Sequence, residues 1–72
     1  MEMLLSIINK ILKANGEPLL KKIEKEDNLR DIGLSSFDLA ELTVRLEDVY
    51  NVDVFEDGVV ETIGEITIKL GL

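Results

Sequence analysis

The chain is 72 residues long, contains neither His nor Cys, and carries a formal net charge of -7. A length of this order builds a single domain, residues 1–72, around one small core that no disulfide supports. The acidic balance argues against nucleic acid and anionic membranes as partners, and no apolar run reaches the roughly 20 residues of a membrane span. The start, Met1-Glu2-Met3-Leu4-Leu5, lacks the basic stretch of a secretory signal, so a soluble cytoplasmic monomer is expected; the lack of Cys fits a reducing compartment.

Leu4, Ile8, Ile11 and Leu12, with Leu5 beside them, recur at helical spacing and predict a first helix from about Glu2 to Ala14. Lys10 and Lys13 suit the negative end of its dipole, Asn15-Gly16 can cap it, and Pro18 prevents it from continuing. Residues from about Gly16 to Leu34 form a long connection. Leu19, Leu20, Ile23, Leu29, Ile32 and Leu34 can pin it to the core, while the polar run from Glu24 to Asn28 faces water. A short helical turn around Leu19 to Lys25 fits the pattern. Connections of this length often carry function, and this one ends at a pair of serines.

The second helix is expected from about Ser36 to Tyr50, with Ser35 as N-cap and Asp38 completing a pair of capping-box type. Leu39, Leu42, Leu46 and Val49 mark its buried stripe. Asp38, Glu41, Arg45 and Asp48 repeat that spacing on another face, and Phe37, Ala40 and Val44 form a third line. A second apolar line beside acid reads as a docking surface; alternatively, Phe37 and Val44 extend the core beneath the long loop. Between Ser35 and Glu61 there are eight acids and one base, Arg45, so that segment alone carries -7 and the rest balances. Such a face attracts proteins with basic patches and speeds their encounter, or serves simply as a solvated face.

Asn51-Val52-Asp53-Val54 reads as an extended link buried through Val52 and Val54. Glu56 to Glu61 can form one short helical turn, weakened by Gly58. Thr62 caps a last helix from about Ile63 to Leu70, with Glu65 at its third position and Ile63, Ile66 and Leu70 facing inward. Its β-branched content makes it a weak autonomous helix that packing must hold. The pattern as a whole is all-α, without repeats, linkers or low-complexity tracts.

Little in this inventory can catalyse. A nucleophilic serine needs a base within reach; there is no His, and no Lys lies within five residues of Ser36. No apolar pocket is evident to raise the pKa of a carboxyl group, and no enzyme activity is expected. Asp53-x-Phe55-x-Asp57-Gly58 opens like a Ca²⁺ loop, but Phe55 stands at a ligand position and Gly64 replaces the closing Glu. Glu47, Asp48 and Asp53 are left as a weak surface site for divalent cations, and no dedicated metal site is expected. Ser36 is better suited to receive a group from another enzyme, because a helix N-terminus favours an attached anion. The bland alternative is that Ser35 and Ser36 only cap the helix.

The stretch Asp31-x-Gly33-Leu34-x-Ser36 resembles the approach to the modified serine in the acyl carrier protein family, whose phosphopantetheine-binding carrier domains it matches over most of the chain. Asp38, Glu41, Leu42, Leu46, Glu47 and Asp48 fall where that family has its acidic recognition helix and core leucines. Thr62-Ile63-Gly64-Glu65-Ile66 is similar to the opening of its last helix. The resemblance implies a small four-helix bundle with a long loop between helices one and two and a short third helix. It implies that 4′-phosphopantetheine, taken from coenzyme A, is attached to Ser36 by a holo-acyl-carrier-protein synthase, a phosphopantetheinyl transferase. The arm would carry acyl intermediates as thioesters to acyl-transferring and condensing enzymes of fatty acid or related lipid and polyketide biosynthesis. Phe37, Asp38, Ala40, Glu41, Val44, Glu47 and Asp48 would meet basic partners, and Leu39, Leu42, Leu46, Ile63 and Ile66 would line an acyl pocket. Ser35 stands where the family usually has Asp, Phe37 where it has Leu or Met, Arg45 interrupts the acidic face, and the segment between Val54 and Thr62 is a little short. These departures suggest a specialised carrier. A competing reading is a small acidic helical adaptor without a cofactor, in which Ser36→Ala would leave function intact.

Overall fold

The computed structural model describes residues 2–56 and 58–72. Among these, three helices form: α1 (Glu2–Ala14), α2 (Ser36–Tyr50) and α3 (Ile63–Leu70). All three follow the spans expected from periodicity and caps.

Helix α1 buries Leu4, Ile7, Ile8, Ile11 and Leu12, a stripe of the width that one face of a core-facing helix presents. It closes with Gly16 N–H donating to Lys13 O at 3.1 Å and Glu17 N–H to Leu12 O at 2.9 Å, the paired bonds that satisfy the last carbonyls of a helix. Helix α2 contributes Leu42 and Leu46, both fully shielded, and α3 contributes Ile63 and Ile66. Val49, expected in the α2 stripe, is half exposed instead, and Tyr50 packs against the core in its place. In the last turn the residue four after Leu46, not three, continues the inward line.

The connection from α1 to α2 lacks helix but is firmly tied. Asn9 clamps Leu20 from both sides: its Nδ2 donates to Leu20 O and its Oδ1 accepts from Leu20 N–H, each at 2.9 Å. With its N–H and carbonyl both engaged by Asn9, Leu20 takes no part in the helical turn expected over Leu19 to Lys25, which does not form. Neighbouring side chains of such a backbone point in opposite directions, so Leu19, expected as an anchor, is exposed while Leu20 packs on the core. Ile23, Leu29 and Leu34 are the buried anchors of the loop, with Ile32 partly covered. A helix-like turn forms later than expected, where Ile32 N–H donates to Asn28 O at 3.2 Å and Gly33 N–H to Arg30 O at 3.1 Å.

The bundle of four helices expected from the resemblance is, among the described residues, a bundle of three. Where the short third helix was expected, over Glu56 to Glu61, the described residues show turns only at the start of the segment. Glu56 N–H donates to Asp53 O at 3.3 Å and Gly58 N–H to Phe55 O at 3.1 Å, and the chain then runs through Val59, Val60 and Glu61 without helix. Val54 and Val60 are both buried. Asp57, which belonged to that expectation and to the Ca²⁺-like stretch, lies outside the described residues.

Helix α3 is short and β-branched, and the long loop supplies what its propensity lacks. Leu29 N–H donates to Glu61 O at 2.8 Å beside an isolated antiparallel bridge between Asn28 and Thr62. The first free amides of α3 find loop carbonyls: Ile63 N–H donates to Asp27 O at 3.0 Å and Gly64 N–H to Lys25 O at 2.8 Å. Thr62 Oγ1 accepts from Glu65 N–H at 3.2 Å. These three bonds leave little of the unsatisfied end that a helix start normally carries. The approach is close enough that a Cβ on Gly64 would meet Lys25 O at 3.0 Å. Gly64→Ala should therefore lower stability by about 1–2 kcal/mol, steric displacement outweighing the gain of about 1 kcal/mol that Ala normally brings to a helix. Urea unfolding followed by circular dichroism measures this; a more stable variant would mean that the loop does not cap α3 in this way.

Candidate functional site

Ser35 and Ser36 arrive at the start of α2 through a constrained path. Gly33 has φ 107, a region side chains avoid, and a Cβ there would stand 3.3 Å from Leu12 Cδ2 on α1. Leu34 is buried next to it. The chain thus turns tightly against the end of α1 and emerges at Ser35 in extended conformation, φ -83 and ψ 175, as an N-cap requires.

The capping box forms as expected. Ser35 Oγ accepts from Asp38 N–H at 3.2 Å, and Asp38 Oδ2 accepts from Ser35 N–H at 2.9 Å. Asp38 does more than cap. Its Oδ1 accepts from Asn15 Nδ2 at 2.7 Å, binding the end of α1 to the start of α2. Asp38 is consequently only 5% exposed; expected on the partner face, it is turned inward because the Ser35 amide and the Asn15 side chain both donate to its carboxylate. The backbone bond from Ser35 holds its pKa below the ordinary Asp value, the side chains of Asn15 and Ser35 adding to this against the opposing effect of burial.

Ser36 opens α2 and is exposed. Its Oγ accepts a hydrogen bond from Arg30 Nη2 at 2.8 Å. Arg30 is held by the preceding turn, where its own N–H donates to Asn28 Oδ1 at 2.9 Å. Sequence reasoning counted Arg30 only as one charge in a balanced half of the chain. Its proximity to Ser36 depends on the turn over residues 28–33, which periodicity did not signal.

Two clefts flank this point and share Leu39. An open one of about 430 Å³ is lined by Ser36, Leu39, Ala40, Thr43, Asp53 and Phe55. A more enclosed one of about 260 Å³ is lined by Asn28, Leu29, Arg30, Leu39, Val59, Val60 and Glu61. Leu42, Leu46, Ile63 and Ile66, expected with Leu39 around an acyl pocket, are shielded in the core and line neither of these clefts. Phe37 is 78% exposed and Val44 61%, so they do not extend the core beneath the loop. Ala40, Glu47 and Asp48 are exposed with them. Glu41 is half-buried and accepts from Arg45 Nε at 2.8 Å, which tempers the acid of that face locally. Among the described residues, no group of three or more acids gathers in a way that could hold a metal ion, and no helix is long and apolar enough to cross a membrane.

Ser36 thus presents an accessible hydroxyl at a helix start, approached through a glycine turn and beside an open cleft. The family model for the phosphopantetheine attachment site matches residues 2–67. The chain belongs to this family, that of the acyl carrier proteins, which carry 4′-phosphopantetheine and are not enzymes. Among solved structures it is similar to the solution structure of MacpD, an acyl carrier protein from Pseudomonas fluorescens involved in mupirocin biosynthesis. The two share 35% identity with a TM-score of 0.78, over 94% of this chain and 64% of that one. The chain thus spans just under two thirds of the length of the protein it matches. No curated protein matches it.

Removing the Asp38 carboxylate tests the centre of this site. Its lowered pKa contributes stability that is fully present above the unfolded Asp value of about 3.9 and is lost as pH falls through the lower native value. Asp38→Ala should cost about 1–3 kcal/mol at pH 7 and flatten the acid limb of a stability–pH profile below about pH 4. Thermal unfolding at a series of pH values reads both effects. An unchanged acid limb would show that Asp38 is not the carboxylate that couples folding to protons.

Proposed function

We propose that Ser36 Oγ bears the 4′-phosphopantetheine arm and that the chain presents acyl groups to enzymes of fatty acid or related lipid and polyketide biosynthesis. The observation that carries the reading is the division of labour between the two serines. Ser35 Oγ is engaged by Asp38 N–H inside the capping box, whereas Ser36 Oγ points outward and meets a cation. Substituting an ester at Ser35 would break a helix cap; substituting one at Ser36 leaves the capping box intact.

The residues present fit the group. An exposed hydroxyl is available to a transferase, and Arg30 and the start of α2 provide positive potential for a phosphodiester. When bound, the arm supplies a terminal thiol that holds an acyl group as a thioester, a chemistry the chain itself lacks for want of Cys. An acyl chain would lie along the clefts on either side of Leu39. To reach Leu42, Leu46, Ile63 or Ile66 it would have to part residues that are closed against each other.

Phe37, Ala40 and Val44, exposed along α2 and flanked by Glu41, Glu47 and Asp48, form the surface for the holo-synthase and for condensing and acyl-transferring enzymes with basic patches. Opposite charge brings the partners together, and the apolar line holds the contact once water is excluded. The carrier acts as a cytoplasmic monomer on this reading.

Incubation with coenzyme A, Mg²⁺ and a promiscuous phosphopantetheinyl transferase, followed by intact-protein mass measurement, tests the assignment. Wild type and Ser35→Ala should gain one phosphopantetheine each, and Ser36→Ala none. A gain lost only in Ser35→Ala would move the site by one residue, and no gain in any of the three would refute attachment at either serine.

A further inference from the structure

We propose that Arg30 is a phosphate-positioning residue, which grips the phosphodiester of the arm and sets the direction in which the arm leaves the protein. The inference rests on attachment at Ser36 and deepens it. In the unmodified chain the Arg30 Nη2–Ser36 Oγ distance is 2.8 Å, so the guanidinium already lies against the atom that would be esterified. Once Oγ is bonded to phosphorus, it becomes a poor acceptor, while the two non-bridging oxygens on that phosphorus share a full negative charge. The same guanidinium then exchanges a neutral acceptor for an anionic one without travelling, and its planar fork suits two oxygens on one centre.

Three features make the contact more than a chance surface pair. Arg30 lies on a turn fixed at both ends, by the Asn28 Oδ1 bond to its N–H and by burial of Leu29 and Leu34. The acceptor is rigid, being the first residue of a capped helix. Arg30 also lines the more enclosed of the two clefts beside Leu39. An arm whose phosphate is held by Arg30 is biased toward that cleft, between the 28–30 turn and Val59-Val60. Without the grip, the more open cleft beyond Ala40 and Thr43 is equally accessible.

The test compares unmodified and modified forms of wild type, Arg30→Gln and Arg30→Lys, with mass measurement to establish that each is loaded. ³¹P NMR of the modified forms reports the phosphodiester directly. Wild type should show a resonance displaced from that of Arg30→Gln, Arg30→Lys should lie between them, and about 1 M salt, where the screening length is about 3 Å, should move wild type toward Arg30→Gln. Modification should raise the wild-type Tm by about 2–6 °C relative to its effect on Arg30→Gln. Loaded proteins with one common ³¹P shift and equal Tm changes would overturn the role of Arg30 while leaving Ser36 as the site. Failure of all three proteins to gain the arm would overturn attachment, and the role of Arg30 with it.

Discussion

The structure depends on one carboxylate facing inward. Asp38 is the one buried acid among the described residues, and burial of a charge is tolerable only when donors surround it. Here the donors come from both sides of the longest connection in the chain: Asn15 just after α1, and Ser35 at the start of α2. The bond to Asn15 closes residues 15–38 into a loop and fixes where α2 begins. Position and orientation of Ser36 follow from that, because the residue after the N-cap has no freedom once the cap is formed. Among the described residues no buried side-chain polar atom lacks a partner, so the tie brings no uncompensated cost.

A second consequence is that the loop supports two helices at once. Its carbonyls at Lys25 and Asp27 receive the first amides of α3, while its turn over residues 28–33 sets Arg30 against Ser36. The shortest and least helix-prone element is therefore held by the same segment that delivers Ser36. Local opening of that loop would disturb α3 and the site together. This coupling holds Ser36 at a fixed place beside two exposed surfaces. Those surfaces are the exposed line of Phe37, Ala40 and Val44 and the clefts around Leu39.

Much of this was legible in one dimension. The spans of α1, α2 and α3 follow from apolar periodicity and from caps that act within a few residues, Ser35 with Asp38 and Thr62 with Glu65. Where pairing was distant or a stripe ended, the reading went astray. Leu19 and Leu20 are indistinguishable in sequence, and only the Asn9 clamp, eleven residues upstream of Leu20, decides which one is buried. Val49 and Tyr50 are both plausible ends of the α2 stripe. The turn expected at Leu19 to Lys25 gave way to the Asn9 clamp, a long-range pairing that no local propensity records.

By itself, then, the sequence determined the helices, their caps, the acidic cast of the segment around α2, and the serine most like the acceptor of its family, because each of these is set by residues close in the chain. Tertiary structure decided that the Asp38 carboxylate is turned into the interior, that Leu42, Leu46, Ile63 and Ile66 are shielded core while Leu39 borders the clefts, and that Arg30 stands beside Ser36. The physical reason is common to all three. Burial and long-range hydrogen bonds depend on which surfaces the folded chain brings together, and a carboxylate, a leucine or an arginine has the same local signature whether it meets water or a neighbour.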